Sequence, residues 1–329
     1  MAAIHDLIFA LAVFASLLLR HAKGDGFLLL NYYQETCPNL EEIVSDATAD
    51  ILAIDVTLAP SLLRLFFHDC FVRGCEGSVL LNSTASNEAE KDAEPNLTLA
   101  GFPEIDLVKA RVEEQCPGVV SCADILALVA RDSVAQVGGP NYLVPLGRRD
   151  GVVSYASEAI ANLPSPSFDL THLVNNFASK GLDLLDLLVL SAAHTIGFAH
   201  CASFSNRLYN FSATSYTDPS LDPHYAKILQ AKCPPNQDFD GNPMDYITPV
   251  VFDHYYFNLV SSNKGLFQSD AALLNDPLLM QYIETHKTNV SDYLSFFEDF
   301  GVSMLKMGSI QVLTGNEGEI RKICSLVNT

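Results

Sequence analysis

Ser61-Leu62-Leu63-Arg64-Leu65-Phe66-Phe67-His68-Asp69-Cys70 sets a permanent cation and a titratable base into an otherwise apolar decapeptide. Arg64 and His68 are four residues apart, so on an α-helix they stack on one face and point the same way. Pro60, just upstream, suits the first turn of such a helix. Bringing a guanidinium into a core without partners costs on the order of several kcal/mol. The face carrying Arg64 and His68 is therefore expected to line a polar cavity. The plainer alternative is that Arg64 pairs with a carboxylate such as Asp69 while His68 is a satisfied core histidine.

The chain around this stretch has 329 residues, 49% of them hydrophobic and 18% charged, which suits one large or two moderate folded domains. A formal charge of -20 argues against nucleic acid and anionic membrane as partners, since both repel it. No segment after the N-terminus reads as a membrane span. Leu7 to Leu19 is an apolar run followed by small residues, so residues 1–24 are expected to be a secretory signal peptide, leaving a domain of 25–329. The eight cysteines include no C-x-x-C pair of the zinc or thioredoxin type, and behind a signal peptide they suggest four disulfides. Sequence alone allows on the order of a hundred connectivities, and only Cys70 with Cys75 is suggested by proximity. Four Asn-x-Ser/Thr sequons, at Asn82, Asn96, Asn210 and Asn289, are candidate glycosylation sites.

Helical periodicity and end signals predict helices over Leu40–Ile54, Phe102–Gln115, Cys122–Gln136, Thr171–Lys180, Leu184–His194 and 277–308, with an irregular loop over 82–103. The prolines of Asn162-Leu163-Pro164-Ser165-Pro166 divide the chain into two helical halves, roughly 25–165 and 166–329. Asp69, Gly74, Glu76 and Ser78 make an oxygen-rich loop behind the Arg64/His68 helix, and Asp245, Thr248 and Asp253 make a second cluster around Pro249. Hard cations such as calcium take about six to eight oxygens from such groups. The first loop alone also reads as a solvated acidic turn.

Continued to Phe71-Val72-x-Gly74-Cys75, the opening stretch resembles the distal-haem signature of the secreted plant (class III) peroxidases. The resemblance resumes at Val120-Ser121-Cys122-Ala123-Asp124, Val144-Pro145-Leu146-Gly147-Arg148-Arg149-Asp150, Leu190-Ser191-Ala192-Ala193-His194-Thr195-Ile196-Gly197 and Lys264-Gly265-Leu266-x-x-Ser269-Asp270. It implies a mainly α-helical fold whose two halves enclose one haem b, with His194 on the iron and Asp270 accepting from the His194 ring. Arg64, His68 and Asn96 then form the peroxide-handling set, with Glu90 in the relay and Phe67 as a shield. It further implies two calcium ions. The distal one is bound by Asp69, Val72, Gly74, Glu76 and Ser78, the proximal one by Thr195, Asp245, Thr248, Val251 and Asp253. Donors would meet the haem edge near Pro164, His200 would approach a propionate, and Asp124 would pair structurally with Arg148. The implied disulfides are Cys37 with Cys116, Cys70 with Cys75, Cys122 with Cys324, and Cys201 with Cys233.

The activity implied is reduction of hydrogen peroxide coupled to one-electron oxidation of phenols of the lignin or suberin type, in a secreted, extracellular or cell-wall monomer that binds no nucleic acid or membrane. A role in oxidative stress would follow. The rival is a secreted haem- and calcium-binding glycoprotein with little turnover, and a zinc hydrolase is weaker still because H-E-x-x-H is absent. Departures from the family pattern are Glu76 for a usual Asp, Tyr142 for a common Trp, Phe66 for a frequent His, and small residues at Ala202 and Ser203.

Overall fold

The Arg64/His68 stretch lies within a 15-residue helix, and the elements before and after it explain its burial. The computed structural model describes residues 27–235, 241–287 and 290–329. The expected signal peptide at 1–24 and the sequon at Asn289 lie outside the described residues. Among these, the α-helices are α1 (Leu40–Ile54), α2 (Leu58–Val72), α3 (Phe102–Gln115), α4 (Cys122–Gln136), α5 (Ala156–Asn162), α6 (Leu170–Ser179) and α7 (Leu184–Ser191). They continue as α8 (Ser205–Leu208), α9 (Pro223–Lys232), α10 (Tyr255–Ser261), α11 (Gln268–Ala272), α12 (Pro277–His286) and α13 (Val290–Met307). The only strands described are β1 (Phe198–Ala199) and β2 (Asn242–Pro243), an antiparallel pair. No helix among the described residues is long and apolar enough to cross a membrane.

The chain forms two compact units. One holds the described residues through Ser133 with Tyr142–Leu163 and Met304–Thr329; the other holds Val134–Asn141 and Pro164–Ser303.

In the first unit, α1 buries Leu40, Val44, Ala47, Thr48, Ile51 and Leu52, one stripe at helical spacing, and packs against α3. The Cys37–Cys116 disulfide ties the two helices together. α2 buries Ala59, Leu62, Leu63, Leu65, Phe66 and Phe71, which fixes where the half-buried Arg64 must emerge. Asp150 caps α4: its carboxylate accepts from the Cys122 and Ala123 amides at 3.1 and 2.9 Å and from the Arg321 amide at 2.8 Å. The Cys122–Cys324 disulfide closes the same corner. Asp124 is wholly buried, bonded to Arg148 Nη1 at 2.8 Å, to the Tyr33 hydroxyl at 2.9 Å and to the Gly147 amide at 2.7 Å. Arg148 is completed by the carbonyls of Pro145 and Gly308. Asp124 is thus a structural anion. The Cys70–Cys75 disulfide follows α2, and the turn it closes needs Gly74 at φ +101°, where a Cβ would lie 2.6 Å from the Gln311 carbonyl.

In the second unit, Asp183 and Asp186 form a reciprocal capping box that starts α7. The helix does not run on to His194. It ends at Ser191 and tightens into a 3-10 turn, Ala192–Thr195, that carries both His194 and Thr195. Gly197 (φ +105°) stops this turn; its amide donates to the Pro249 carbonyl at 2.9 Å and its carbonyl accepts from the Met244 amide at 2.9 Å. Those bonds draw the Asp245–Asp253 loop against the His194 turn. The helical stretch expected over 277–308 is formed by α12, which ends at His286, and α13. The Cys201–Cys233 disulfide binds the end of α9 to the segment after β1.

Candidate active site

In the first unit, Arg64 Nε donates to His68 Nε2 at 3.1 Å. The guanidinium is held at both other nitrogens: Nη1 donates to the carbonyl and hydroxyl of Thr98 at 3.2 and 2.9 Å, and Nη2 to the Pro95 carbonyl at 3.0 Å. Asp69 takes no part, so the simple Arg64–Asp69 pair does not form. Since Arg64 only donates, His68 Nε2 is an acceptor and the ring proton belongs on Nδ1. There the Asn96 Oδ1 accepts it at 2.6 Å, and Asn96 Nδ2 donates to the Glu90 carbonyl at 2.7 Å. Burial, reinforced by the Arg64 charge and opposed by the Asn96 bond, holds the His68 pKa well below its usual value. His68 is a neutral base with a defined tautomer. Burial also lowers the Arg64 pKa to about 10, which leaves it cationic at neutral pH. The Phe67 ring meets the His68 ring edge-on at 5.2 Å.

Behind this face lies a buried carboxylate group. Asp69 accepts from the Gly77 and Val79 amides at 2.9 and 3.3 Å, yet burial and the nearby Glu76 raise its pKa to about 7. Burial, with the charges of Asp69 and Glu76, raises Glu90 to about 8. Both Glu90 carboxylate oxygens and the Ser78 hydroxyl are buried without a hydrogen-bond partner among the described residues. The Ser78 hydroxyl is close enough to oppose the Glu90 shift without reaching hydrogen-bond geometry. Orphaned hard oxygens in a negative pocket suit a divalent cation. Glu76 is set apart, because its Oε1 is paired with Arg73 Nε at 3.0 Å and Arg73 also binds Glu158. Val72 and Gly74 lie within the turn that Cys70–Cys75 closes; the Gly74 carbonyl accepts from the Glu76 amide at 2.8 Å.

In the second unit, His194 Nδ1 lies 2.8 Å from Asp270 Oδ1. The same carboxylate accepts from the Tyr256 hydroxyl at 3.0 Å and, through Oδ2, from the Phe267 amide at 2.9 Å. With three donors around it, Asp270 is rigidly placed, and the Phe267 ring packs edge-on to His194 at 5.1 Å. Nδ1 is engaged, so Nε2 is the nitrogen left for a metal. Thr195 Oγ1 donates to Asp253 at 3.0 Å, and Thr248 Oγ1 reaches Asp253 at 2.8 Å and Asp245 at 3.1 Å. Burial, with Asp253 nearby, raises the Asp245 pKa. These four residues therefore meet as an oxygen cluster, and the Val251 amide, bonded to the Thr248 carbonyl at 3.0 Å, places Val251 at its edge. No group of three or more His, Cys, Asp or Glu side chains is arranged as a ready metal site among the described residues. Both clusters depend on hydroxyl and carbonyl oxygens as well. Pro164 opens the second unit half-exposed, and His200 is half-buried.

Thr98, the Pro95 carbonyl, Tyr256 and Phe267 escaped sequence reasoning. Thr98 stands two residues after Asn96 and was visible only as part of the sequon; Tyr256 carries no motif at all.

A helical fold with four disulfides, a histidine whose Nδ1 is set against a buried carboxylate, and an arginine–histidine pair backed by an asparagine together define the haem peroxidases. The chain belongs to this family: the family model described as Peroxidase matches residues 42–289. It is 49% identical to Peroxidase 1 of Arabidopsis thaliana over 321 residues, covering 98% of each chain. It is 51% identical to Peroxidase 56 of Arabidopsis thaliana over 301 residues, 92% of this chain and 91% of that one. A third relative, Peroxidase 1 of Oryza sativa subsp. japonica, is 48% identical over 305 residues, 90% of this chain and 92% of the other. The protein is thus a haem peroxidase, an enzyme that reduces hydrogen peroxide at the expense of an electron donor, with phenols the donors typical of the family.

Proposed function

We propose that the group bound is haem b, with His194 Nε2 as its iron ligand, and that His68 and Arg64 handle the peroxide. The observation that carries this is the pair of histidines with opposite partners at Nδ1: a neutral amide for His68 and a buried carboxylate for His194. When bound, the haem would hold the two oxidising equivalents that each peroxide delivers, and two phenol molecules would discharge them by giving one electron each.

The residues divide the work as follows. Asp270 accepts the Nδ1 proton of His194, which fixes its tautomer and makes Nε2 a more electron-rich ligand. His68 Nε2 takes the proton from one oxygen of the incoming peroxide. That nitrogen is held by Arg64 Nε–H in the resting arrangement, so the peroxide O–H displaces the guanidinium as donor. Held by its Nη contacts to Thr98 and Pro95, Arg64 keeps its freed Nε–H in the same place, where it can donate to the other oxygen as negative charge develops there and the O–O bond breaks. His68 returns its proton to that oxygen, which leaves as water. Asn96 keeps the His68 proton on Nδ1 throughout, so Nε2 is always the reactive nitrogen.

We further propose two calcium ions. Asp69, Ser78 and the carbonyls of Val72 and Gly74 would hold one, with Glu76 joining only by giving up Arg73. Thr195, Asp245, Thr248, Asp253 and the Val251 carbonyl would hold the other. The orphaned Ser78 and Glu90 oxygens and the raised Asp245 pKa support this. Four disulfides and the charge of -20 support a secreted monomer, extracellular or in the cell wall, free of membrane and nucleic acid. Pro164 would border the donor's approach.

The test is the absorption spectrum of the purified, haem-supplied protein before and after one equivalent of hydrogen peroxide, then with guaiacol. The expected result is a Soret band that changes with peroxide and returns with guaiacol. A Soret band indifferent to peroxide would overturn the assigned roles of His68 and Arg64.

A further inference from the structure

In the second unit the Asp270 carboxylate divides its hydrogen bonds between its two oxygens. Oδ2 accepts from the Phe267 amide at 2.9 Å, a bond back to the residue three earlier that starts α11. Oδ1 accepts twice, from His194 Nδ1 at 2.8 Å and from the Tyr256 hydroxyl at 3.0 Å. The imidazole and the phenol therefore draw on the same oxygen.

Placement of the carboxylate does not depend on the phenol. The segment before α11 is pinned by Arg207, wholly buried, whose Nη1 donates to the carbonyls of Gly265, Leu266 and Phe267. Gly265 packs so closely on the other side that a Cβ there would lie 2.8 Å from the Asp270 Cβ. With its backbone and its Oδ2 held in this way, Asp270 keeps its position when one donor leaves Oδ1.

Nor does packing call for the hydroxyl. Tyr256 is 2% exposed on α10, with its ring edge-on to Phe257 at 5.8 Å and turned 68° from the His194 ring at 6.3 Å. A phenylalanine ring would make both contacts as well. A buried phenol O–H needs an acceptor, and this one takes Asp270 Oδ1. What tyrosine adds over phenylalanine here is one donor on the oxygen that His194 also uses.

We infer that Tyr256 is a positioning residue that sets the strength of the His194–Asp270 bond by drawing charge from the shared oxygen, an inference that rests on the reading of His194 as the iron ligand. A donor to an ionised carboxylate lowers its basicity. With the phenol in place, Oδ1 pulls less on the His194 proton, and Nε2 is a weaker ligand than Asp270 alone would make it. Removing the phenol makes Oδ1 more basic, strengthens the His194 bond and leaves Nε2 more electron-rich, which favours ferric over ferrous iron. The effect is opposite in sign to that of removing Asp270 itself.

The test is the ferric/ferrous midpoint of the haem-loaded protein, with the iron–histidine stretching band of the ferrous form as a second readout. Tyr256→Phe should shift the equilibrium about three- to tenfold toward ferric, a fall of about 30–60 mV at roughly 59 mV per tenfold, and move the band to higher frequency. Asp270→Ala should do the reverse in both readouts. In the Asp270→Ala background Tyr256→Phe should change neither, because the shared oxygen is gone. Incorporating 3-fluorotyrosine at position 256, a stronger donor, should raise the midpoint above wild type, and this variant decides alone should Tyr256→Phe fail to hold haem. A Tyr256→Phe midpoint that stays put, or rises as in Asp270→Ala, would overturn the inference, and so would a shift that persists without Asp270. An Asp270→Ala protein with wild-type readouts would instead overturn the underlying reading of His194 and Asp270, and the inference with it.

Discussion

Replacing Asn96 with Val tests the proton-holding role most directly. The side chain is 1% exposed, and it spends both polar atoms: Oδ1 accepts from His68 Nδ1 at 2.6 Å and Nδ2 donates to the Glu90 carbonyl at 2.7 Å. Valine approximates the shape and removes both bonds, leaving a buried imidazole N–H and a buried carbonyl unpaired. At about 1–3 kcal/mol each, the folded state should lose about 2–6 kcal/mol, against which the four disulfides stabilise the fold. The reaction with peroxide should suffer separately. Without its acceptor the His68 proton is no longer pinned to Nδ1, and Nε2 is the reactive base in only part of the population. The expected loss is about 10- to 100-fold in the second-order rate constant, less than the roughly 10²–10⁴-fold that a whole acid–base catalyst supplies. Stopped-flow recording of the Soret change against peroxide concentration measures it, and the melting temperature of the same preparation separates the two effects. A folded Asn96→Val protein reacting within about twofold of wild type would refute the reasoning. The same geometry forbids a glycan on this sequon. Asn96 is 1% exposed, which leaves no room for a sugar on its Nδ2, and the Thr98 hydroxyl is already bonded to Arg64 at 2.9 Å. Glycopeptide mass spectrometry of active protein should find Asn96 unmodified.

Three other perturbations have defined outcomes. Asp270→Ala removes a charged acceptor worth about 1.5–3 kcal/mol to the His194 ring, so the ferric/ferrous midpoint should rise by about 60–130 mV in spectroelectrochemical titration; an unchanged potential would contradict the assigned role. Calcium removal by chelation should lower the melting temperature by several degrees, because binding at about 100 times the dissociation constant stabilises by about 2.7 kcal/mol; a melting temperature indifferent to chelator and to added calcium would remove both proposed ions. Asp132 is paired with Arg131 at 2.6 Å, yet burial raises its pKa to about 6. Its folded-state pKa exceeds the unfolded value, so the folded state holds the proton more tightly and stability falls as pH rises from about 4 to about 6. Relative to Asp132→Asn, the wild type should lose at most about 3 kcal/mol across that window in denaturant titrations, and a loss in the opposite direction would show that the Arg131 pair outweighs burial.

Much of the helical frame was legible because its signals are local. α3 and α4 begin and end where periodicity and end signals put them, and α2 carries Arg64 and His68 on one face as a four-residue spacing requires. The His194 helix was read too long for a physical reason. Apolar periodicity continues through Ala192 and Ala193, and nothing local reveals that the Gly197 bonds to Pro249 and Met244 tighten the last turn into 3-10 form. Long-range partners were invisible to composition and spacing. Asn96, 28 residues from His68, and Asp270, 76 residues from His194, could be named only through resemblance to a family. Thr98 was missed even so, since its hydroxyl matters only once the 82–103 loop has folded over Arg64. Glu76 shows the limit from the other side: in sequence it reads as a cation ligand, but Arg73, three residues away, is near enough to claim it.

The two histidines show why partner type, and not histidine alone, sets the chemistry. Both rings are held at Nδ1 by a side-chain oxygen at 2.6–2.8 Å, which leaves Nε2 to act in each case. An amide oxygen orients His68 without adding charge, so burial and Arg64 keep the ring neutral and able to take a proton and give it back. A carboxylate in the same position would favour the imidazolium and leave Nε2 protonated before peroxide arrived. At His194 the requirement is reversed. With the proposed metal on Nε2 no proton would sit there, so the Asp270 charge would go into ligand strength, and three donors hold the carboxylate where a mobile anion would lose that effect. Exchanging the two partners would therefore damage both sites for opposite reasons: an over-basic acid–base catalyst in one unit and an electron-poor iron ligand in the other.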